Sequence, residues 1–268
     1  MSFQSIKTCA RAVGLYRVAR WAHRHIVDRE RLRAFQDEVA FYTELLSPNS
    51  LCFDIGANFG VKTEVFLRLG AKVIAFEPQR DCLQELHARL GSPRRLVTVN
   101  AAVGSRSGQQ TFYIGRERTA SSMVKGWQDD VSDSVEVRVT TLDDAIAKFG
   151  VPRHCKIDVE GFELEVLKGL SRPIPTLSYE YHLQKDGPAR ALECLEYLSG
   201  LGDILVNVTP AEKTGFAVAH WLGKSDFIDF FRRAVPQLRG YHYGDIFVKF
   251  EDADHDRTKT STSSHIGA

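Results

Sequence analysis

Two carboxylates sit where apolar runs give way to turns. Asp54 is the last acidic side chain before the glycine turn that follows Leu51–Ile55, and Glu77 stands between the run Lys72–Phe76 and Pro78. The turn, Gly56-Ala57-Asn58-Phe59-Gly60, leads from a strand-like run into a helix-like one. Glycines at such a place let backbone approach a ligand closely at the C-terminal edge of a parallel sheet. A tight βα turn also selects glycine for geometry alone. A carboxylate ending the next strand can accept both hydroxyls of a ribose, and that tips the reading toward a nucleoside-bearing ligand.

The charges then separate two ligand classes. A dinucleotide would set its pyrophosphate at this turn, where Asp54 repels it, and the G-x-G-x-x-G spacing of dehydrogenases is absent. S-adenosylmethionine carries an ammonium and a sulfonium, which Asp54 would attract while Glu77 takes the ribose. A second group of ionisable residues follows later in the chain. Asp158 and Glu160, in Lys156–Gly161 (KIDVEG), lie on one face if their strand persists, and Ser178–His182 (SYEYH) brings Glu180 and His182 to the same rim. An ion-pair network would explain these acids structurally, and a lone histidine is more often structural than catalytic. Methyl transfer to a hydroxyl, however, needs a base. His182, Asp158 and Glu160 are the candidates, His182 foremost because a free imidazole titrates near neutrality. A carboxylate acceptor would need no base. A divalent cation on Asp158, Glu160 and Glu180 is the alternative, since hard oxygens suit magnesium or calcium.

These residues need a scaffold, and the hydrophobic pattern supplies one. Runs at Leu51–Ile55, Lys72–Phe76, Leu96–Val99, Lys156–Val159, Thr176–Tyr181, Asp203–Val208 and Asp245–Phe250 read as strands. Helical stretches at Val61–Leu69, Cys82–Leu90, Asp143–Phe149, Glu163–Leu170 and Ala189–Leu198 alternate with them. That rhythm predicts an α/β fold, a doubly wound, mostly parallel sheet of about seven strands. Gln110–Ile114 and Val135–Val139 interrupt it as two extra strands around a loop. Residues 1–48 read as a helical extension, 49–250 as the domain, and 251–268 as a polar, disordered tail. The extension carries an apolar stripe (Leu15, Val18, Ala19, Ala22, Ile26) and a basic face (Arg17, Arg20, Arg24, Arg31), with a second helix at Gln36–Leu46. It would pack on the domain or on a second subunit of a homodimer, or rest on an anionic membrane surface. Residues 183–244 are expected to cap the cleft, with His220, Trp221, Phe227, Tyr241, His242 and Tyr243 as lining groups.

Composition narrows the classes. The chain has 268 residues and a net charge of +1, so it lacks the basic excess of a nucleic-acid binder. Its five scattered cysteines form no C-x-x-C pair, which predicts buried thiols in a reducing, cytoplasmic setting. No run suits a spanning helix or a secretory signal.

The strings Phe53–Gly60 (FDIGANFG), Ala75–Pro78 (AFEP), Asn100–Gly104 (NAAVG), Thr141–Asp144 (TLDD) and Lys156–Gly161, in this order and spacing, resemble the FkbM-type methyltransferases over roughly residues 50–182. The resemblance implies a Rossmann-like seven-stranded sheet, S-adenosylmethionine, and O-methylation of sugars, glycans or other small hydroxy or carboxy compounds. It implies a methionine pocket lined by Asp54, Gly56, Ala57, Asn58 and Gly60, a ribose on Glu77, and adenine near Asn100 and Ala101. Asn100 stands where many methyltransferases place an acid. Ser121 and Ser122 resemble a small-residue signature of the family's inserted loop, at cofactor, substrate or neither, and Asp158 lies beside the donor methyl. A reading of a different class is a non-catalytic, donor-binding scaffold that acts through its helical extension. The intact Asp54, Glu77 and Asp158 set speaks against it.

Overall fold

The computed structural model describes residues 15–116, 118–127, 131–184, 186–210, 214–234 and 243–251, with side chains from residue 29 onward except at 118. The basic, apolar-striped start of the extension is thus described as backbone only, apart from Arg31. Tyr241, His242 and the tail after residue 251 lie outside the described residues.

The first helix, α1, is continuous over Leu15–Tyr42, so the two helices expected before Pro48 are largely one. Strand β1 (Leu51–Ile55) leads through the glycine turn into α2 (Val61–Arg68), then β2 (Lys72–Phe76), α3 (Arg80–Leu90) and β3 (Leu96–Val99). A small side sheet follows, built from β4 (Ala102–Val103), β5 (Gly108–Gly115) and β6 (Val131–Thr140). The chain resumes with α4 (Leu142–Phe149), β7 (His154–Ile157), α5 (Glu163–Leu167), β8 (Thr176–His182), α6 (Gly187–Ser199) and β9 (Ile204–Pro210). The two-residue β10 (Leu222–Gly223), α7 (Lys224–Ala234) and β11 (Tyr243–Phe250) complete it.

The main sheet has eight strands in the order β10-β9-β11-β8-β7-β1-β2-β3, one more than expected because β10 pairs on the edge. Strands β3, β2, β1, β7 and β8 run parallel, and β11 enters antiparallel between β8 and β9. The chain leaves β1 toward β2 and β3, then crosses back to β7 on the other side. That reversal opens a crevice at the C-terminal ends of β1 and β7, where ligands of open α/β sheets bind.

Both faces of the sheet are covered because its strands are apolar on both sides. Phe53, Ile55, Ile74 and Phe76 face Leu142, Ile146, Leu195 and Phe227 from α4, α6 and α7. The intervening Cys52 and Val73 face Tyr42, Val65 and Phe66 from α1 and α2, as the strand period of two requires. Phe227 therefore belongs to the core and not to the cleft. Phe216 and Trp221 pack against Phe41 and Phe247 behind the sheet. The described residues between 183 and 244 mainly extend the sheet and cover its face. Among the described residues, no helix is long and apolar enough to cross a membrane.

Candidate active site

Asp54 lies beside Ala75 of β2 and Lys156 of β7 in the sheet register and is buried to 1% exposure. Its Oδ2 accepts a hydrogen bond from the Thr63 hydroxyl at 2.5 Å, the side chain having been brought over by the second residue pair of α2. Burial raises its pKa, and Lys156 and Thr63 hold the rise back. The turn that follows is tightly packed. Gly56 has φ +80, and a Cβ there would lie 1.8 Å from the Asp158 carbonyl oxygen, so only glycine fits. Gly56 and Ala57 both donate to the Phe76 carbonyl at 3.0 Å, which ties the turn to β2.

Glu77 accepts from two backbone N–H groups, Gln79 at 2.8 Å and Asn58 at 3.0 Å, one on each carboxylate oxygen. The Gln79 side chain bonds this carboxylate as well, and would give way for two vicinal hydroxyls to be accepted together. Burial nevertheless pushes its pKa up to about 7, the two backbone donors opposing. Asn100 holds this corner in place: its amide donates to the carbonyls of Glu77 at 3.1 Å and Pro78 at 2.8 Å.

A cavity of about 680 Å³ opens above these groups, lined by Asp54, Gly56, Ala57, Asn58, Glu77 and Ala101 among others, with Val103, Phe112 and Met123 as an apolar wall. Ser121 lines it and Ser122 does not. The Ser122 hydroxyl donates to the Glu160 carbonyl at 2.7 Å and accepts from the Val124 N–H, so it shapes the loop. Gly60 starts α2 in a left-handed conformation and also lies off the lining.

The opposite rim carries the second ionisable group. Strand β7 stops at Ile157, so Asp158 and Glu160 do not share the face of a continued strand. Glu160 turns back with φ 54, and the loop is fixed by Glu163, which accepts from the N–H groups of Val159 at 3.2 Å and Gly161 at 3.1 Å. Asp158 accepts from Lys156 Nζ at 2.7 Å. Burial alone would lower Lys156. Asp158, Asp245, Glu180 and Asp54 outweigh it and hold the ammonium well above its usual range. Asp158 in turn stays ionised against its burial because of Lys156. Burial, then Asp158, push Glu180 well up. Burial and Asp158 likewise bring Glu160 to about 7.

His182 Nε2 lies 3.0 Å from Glu180 Oε2 and 3.8 Å from Glu160 Oε2. The first distance is within ion-pair reach, yet neither atom makes an aligned hydrogen bond, and both are buried. Burial lowers the His182 pKa, so the ring is neutral at neutral pH. Among the described residues, Glu160, Glu180 and His182 are also those whose ligating atoms cluster closely enough to share one metal ion. Asp158, expected in that set, is committed to Lys156, and His182 stands in its place. Tyr243 is the one residue of the expected 183–244 lining set that reaches this cavity among the described residues.

Four functional neighbours were absent from the sequence reading. Thr63 and Lys62 follow the glycine turn by two or three residues, at the spacing that returns a helix's first turn to the preceding strand end. Glu163 stands two residues past Gly161. Trp127, whose indole donates to Glu160 Oε2 at 3.0 Å, comes from the side-sheet loop, distant in sequence and without local signal.

A parallel sheet with a reversed strand beside its last parallel pair, and carboxylates ending β1 and β2 around one cavity, defines the Rossmann-like methyltransferase class. The sequence profile of the methyltransferase FkbM domain matches residues 54–205. The chain belongs to the FkbM methyltransferase family. The hexuronic acid methyltransferase AglP of Haloferax volcanii is 27% identical over 154 residues, 55% of this chain and 61% of that protein. The chain thus matches less than two thirds of this curated relative's length. Among solved structures, a precorrin-6y C5,15-methyltransferase from Geobacter metallireducens overlaps at TM-score 0.43 and 14% identity, covering 80% of this chain and 86% of that one. A TehB-like methyltransferase from Corynebacterium glutamicum gives 0.43 and 11%, covering 86% and 99%.

Proposed function

We propose that the protein is an S-adenosylmethionine-dependent O-methyltransferase acting on a small hydroxylated acceptor of the sugar-acid type. The observation that carries this is the pairing of Asp54 and Glu77 across one glycine-cleared turn, opening onto the Glu160–Glu180–His182 rim. The donor fits the residues present. Asn58 Oδ1 is a buried acceptor with no partner among the described groups, and it lines the same cavity as Asp54, where an ammonium would be held. Glu77 would take the ribose hydroxyls, and the apolar wall of Val103, Phe112 and Met123 would face the adenine. Bound there, S-adenosylmethionine supplies a methyl carbon already activated by a sulfonium.

The chain's own task is to place an acceptor oxygen opposite that carbon and to receive its proton. The Glu160–Glu180–His182 group is the proton-handling end of the cavity. A second cavity of about 700 Å³ shares Lys62, Lys156, Asp158, Glu180 and Tyr243 with the first and adds Arg31, Arg89, Thr209 and Thr214. Lys62, Lys156 and Arg89 there are paired with Glu38, Asp158 and Glu64, so it is the hydroxyls that suit a sugar, and hexuronic acid is the class on which the Haloferax volcanii relative is named to act. The buried thiols of Cys52, Cys155 and Cys194 support a reducing, cytoplasmic setting. The acceptor is read as a small molecule or glycan and not a nucleic acid, and a homodimer through α1 remains part of the proposal.

The test is transfer from isotopically labelled donor across neutral sugars, uronic acids and glycans, read by mass spectrometry. A uronic acid or a glycan bearing one should gain the label. Calorimetry with S-adenosylhomocysteine tests the donor site separately, and no measurable affinity would sink the reading.

A further inference from the structure

Glu180 and His182 stand two residues apart at the end of β8, a spacing that puts both side chains on one face. Glu160 comes from the loop after the neighbouring strand and turns back toward them with φ 54. The three ligating atoms lie within 4.8 Å of one another, with His182 Nε2 at 3.0 Å from Glu180 Oε2 and 3.8 Å from Glu160 Oε2. Ligands on one octahedral ion with bonds of about 2.1 Å sit about 3 Å apart in adjacent positions and about 4.2 Å apart in opposite ones. The observed spacing is of that kind.

Two of the three atoms make no hydrogen bond. Glu180, its side chain 11% exposed, keeps Oε2 buried without a hydrogen bond, and so does His182 Nε2. Buried polar atoms are nearly always paired. The two lie 3.0 Å apart, and a shared cation would satisfy them together. The buried Lys156 already serves Asp158 at 2.7 Å. Trp127 leaves the cluster's geometry fixed: its indole N–H holds Glu160 Oε2 at 3.0 Å, and its ring meets His182 edge-on at 4.9 Å between centroids.

We propose that Glu160, Glu180 and His182 bind one divalent cation. Two carboxylate oxygens and one imidazole nitrogen, with no thiolate, suit Mn²⁺ ahead of Mg²⁺, which prefers oxygen alone and keeps its waters. The remaining positions face the large cavity, because Glu160, Glu180 and His182 all line it. Neighbouring oxygens of an acceptor, such as a vicinal diol or a hydroxyl beside a carboxylate, would occupy them. This goes beyond the methyl-transfer reading, and cation binding does not depend on it.

The whole protein, stripped with a chelator and dialysed, is titrated with MnCl₂ while the free ion is followed by electron paramagnetic resonance. One equivalent should be taken up saturably. Glu180→Gln and His182→Gln should each weaken uptake at least tenfold, and Glu196→Gln, an exposed α6 position outside the cavities that the cluster lines, should bind as the parent does. Circular dichroism checks the fold of each variant. Should one fail to fold, the bound Mn²⁺ signal of the parent decides alone, since it must carry a nitrogen coupling from the imidazole. Absence of saturable uptake of Mn²⁺ and Zn²⁺, uptake unchanged in both variants, or a bound signal without that coupling overturns the proposal. S-adenosylhomocysteine binding is measured in the same chelated samples. Its loss alone would count against the donor site and leave the cation site standing.

Discussion

Glu77 holds a carboxylate where burial disfavours charge, and two backbone donors only partly offset that cost. Its folded pKa of about 7 lies above the ordinary 4.5. The stability this group contributes is therefore fully present below about 4.5 and is lost as pH rises through about 7. Donor binding has the opposite sign, because the ionised form accepts both ribose hydroxyls. Affinity for S-adenosylhomocysteine should fall as pH drops below 7, by up to about tenfold per unit, and Glu77→Gln should flatten that dependence. Glu77→Ala should cost about 1.5–3 kcal/mol of donor binding. Calorimetry at several pH values checks both, and an affinity that ignores pH and substitution would remove Glu77 from the site. Gly56 makes a sharper stability test. With φ +80 and Asp158 O at 1.8 Å from a new Cβ, Gly56→Ala should destabilise the fold by about 2–5 kcal/mol, combining left-handed strain with overlap. Urea unfolding measures it. Both residues are legible from sequence, because a carboxylate or glycine at a strand end has a place fixed by the strand alone. Asn100 and Ser122 are less so. Their side chains bond backbone of the Glu77 and Glu160 corners, and no local pattern reveals which backbone a short polar side chain will reach.

Elements were legible wherever apolar period and turn chemistry agreed, as in β1, β2, α3 and β8. The sheet edge strand β10 has only two residues, too few to show a period. Helix α7 does carry Phe227, Ile228, Phe230 and Phe231 at helical spacing, but aromatics near a cleft also look like lining groups. The loop after β7 was misjudged for a physical reason: apolar alternation continues through Val159, while the backbone turns at Asp158. Glu163 is what turns it, accepting two loop N–H groups from inside the first turn of α5. Glu163→Ala should therefore free Val159 and Gly161, let Glu160 drift from His182, and lower turnover by about 10²-fold, the scale of a misplaced reacting group. Donor affinity should change little, since Asp54 and Glu77 hang on β1 and β2. Steady-state kinetics beside calorimetry separates the two, and equal losses in both would show a general collapse of the crevice instead.

At the scale of the whole molecule, the change of pattern near Pro48 that marks the end of the helical extension is not a break in packing. Tyr42, Leu45 and Leu46 are buried in one cluster with Cys52, Val65, Phe66, Val73 and Phe247. Tyr42 meets Phe66 at 5.0 Å and His154 at 5.7 Å edge-on, and is 1% exposed. His154 completes the stack on Phe247 at 6.0 Å, and burial drives its pKa down to about 3, so it is a neutral core residue. The end of α1 thus plugs the back of β1 and β7, the two strands between which the crevice opens. Glu38 of the same helix pairs with Lys62, so α1 also fixes a wall of the second cavity. Tyr42→Ala should cost about 3–5 kcal/mol, the range for deleting a buried aromatic. That is a large share of the roughly 5–15 kcal/mol that holds a domain together. Tyr42→Phe keeps the ring and should cost only about 1 kcal/mol, one hydrogen-bonding group. Urea denaturation of the three proteins gives the comparison, with S-adenosylhomocysteine titrated at a temperature where all are folded. Donor affinity should be close to the parent's in both variants, because Tyr42 lines the second cavity and not the one that holds Asp54 and Glu77. If Tyr42→Ala unfolds no more easily than Tyr42→Phe, the helix end is a passenger on the domain, and the core must be held from the other face alone.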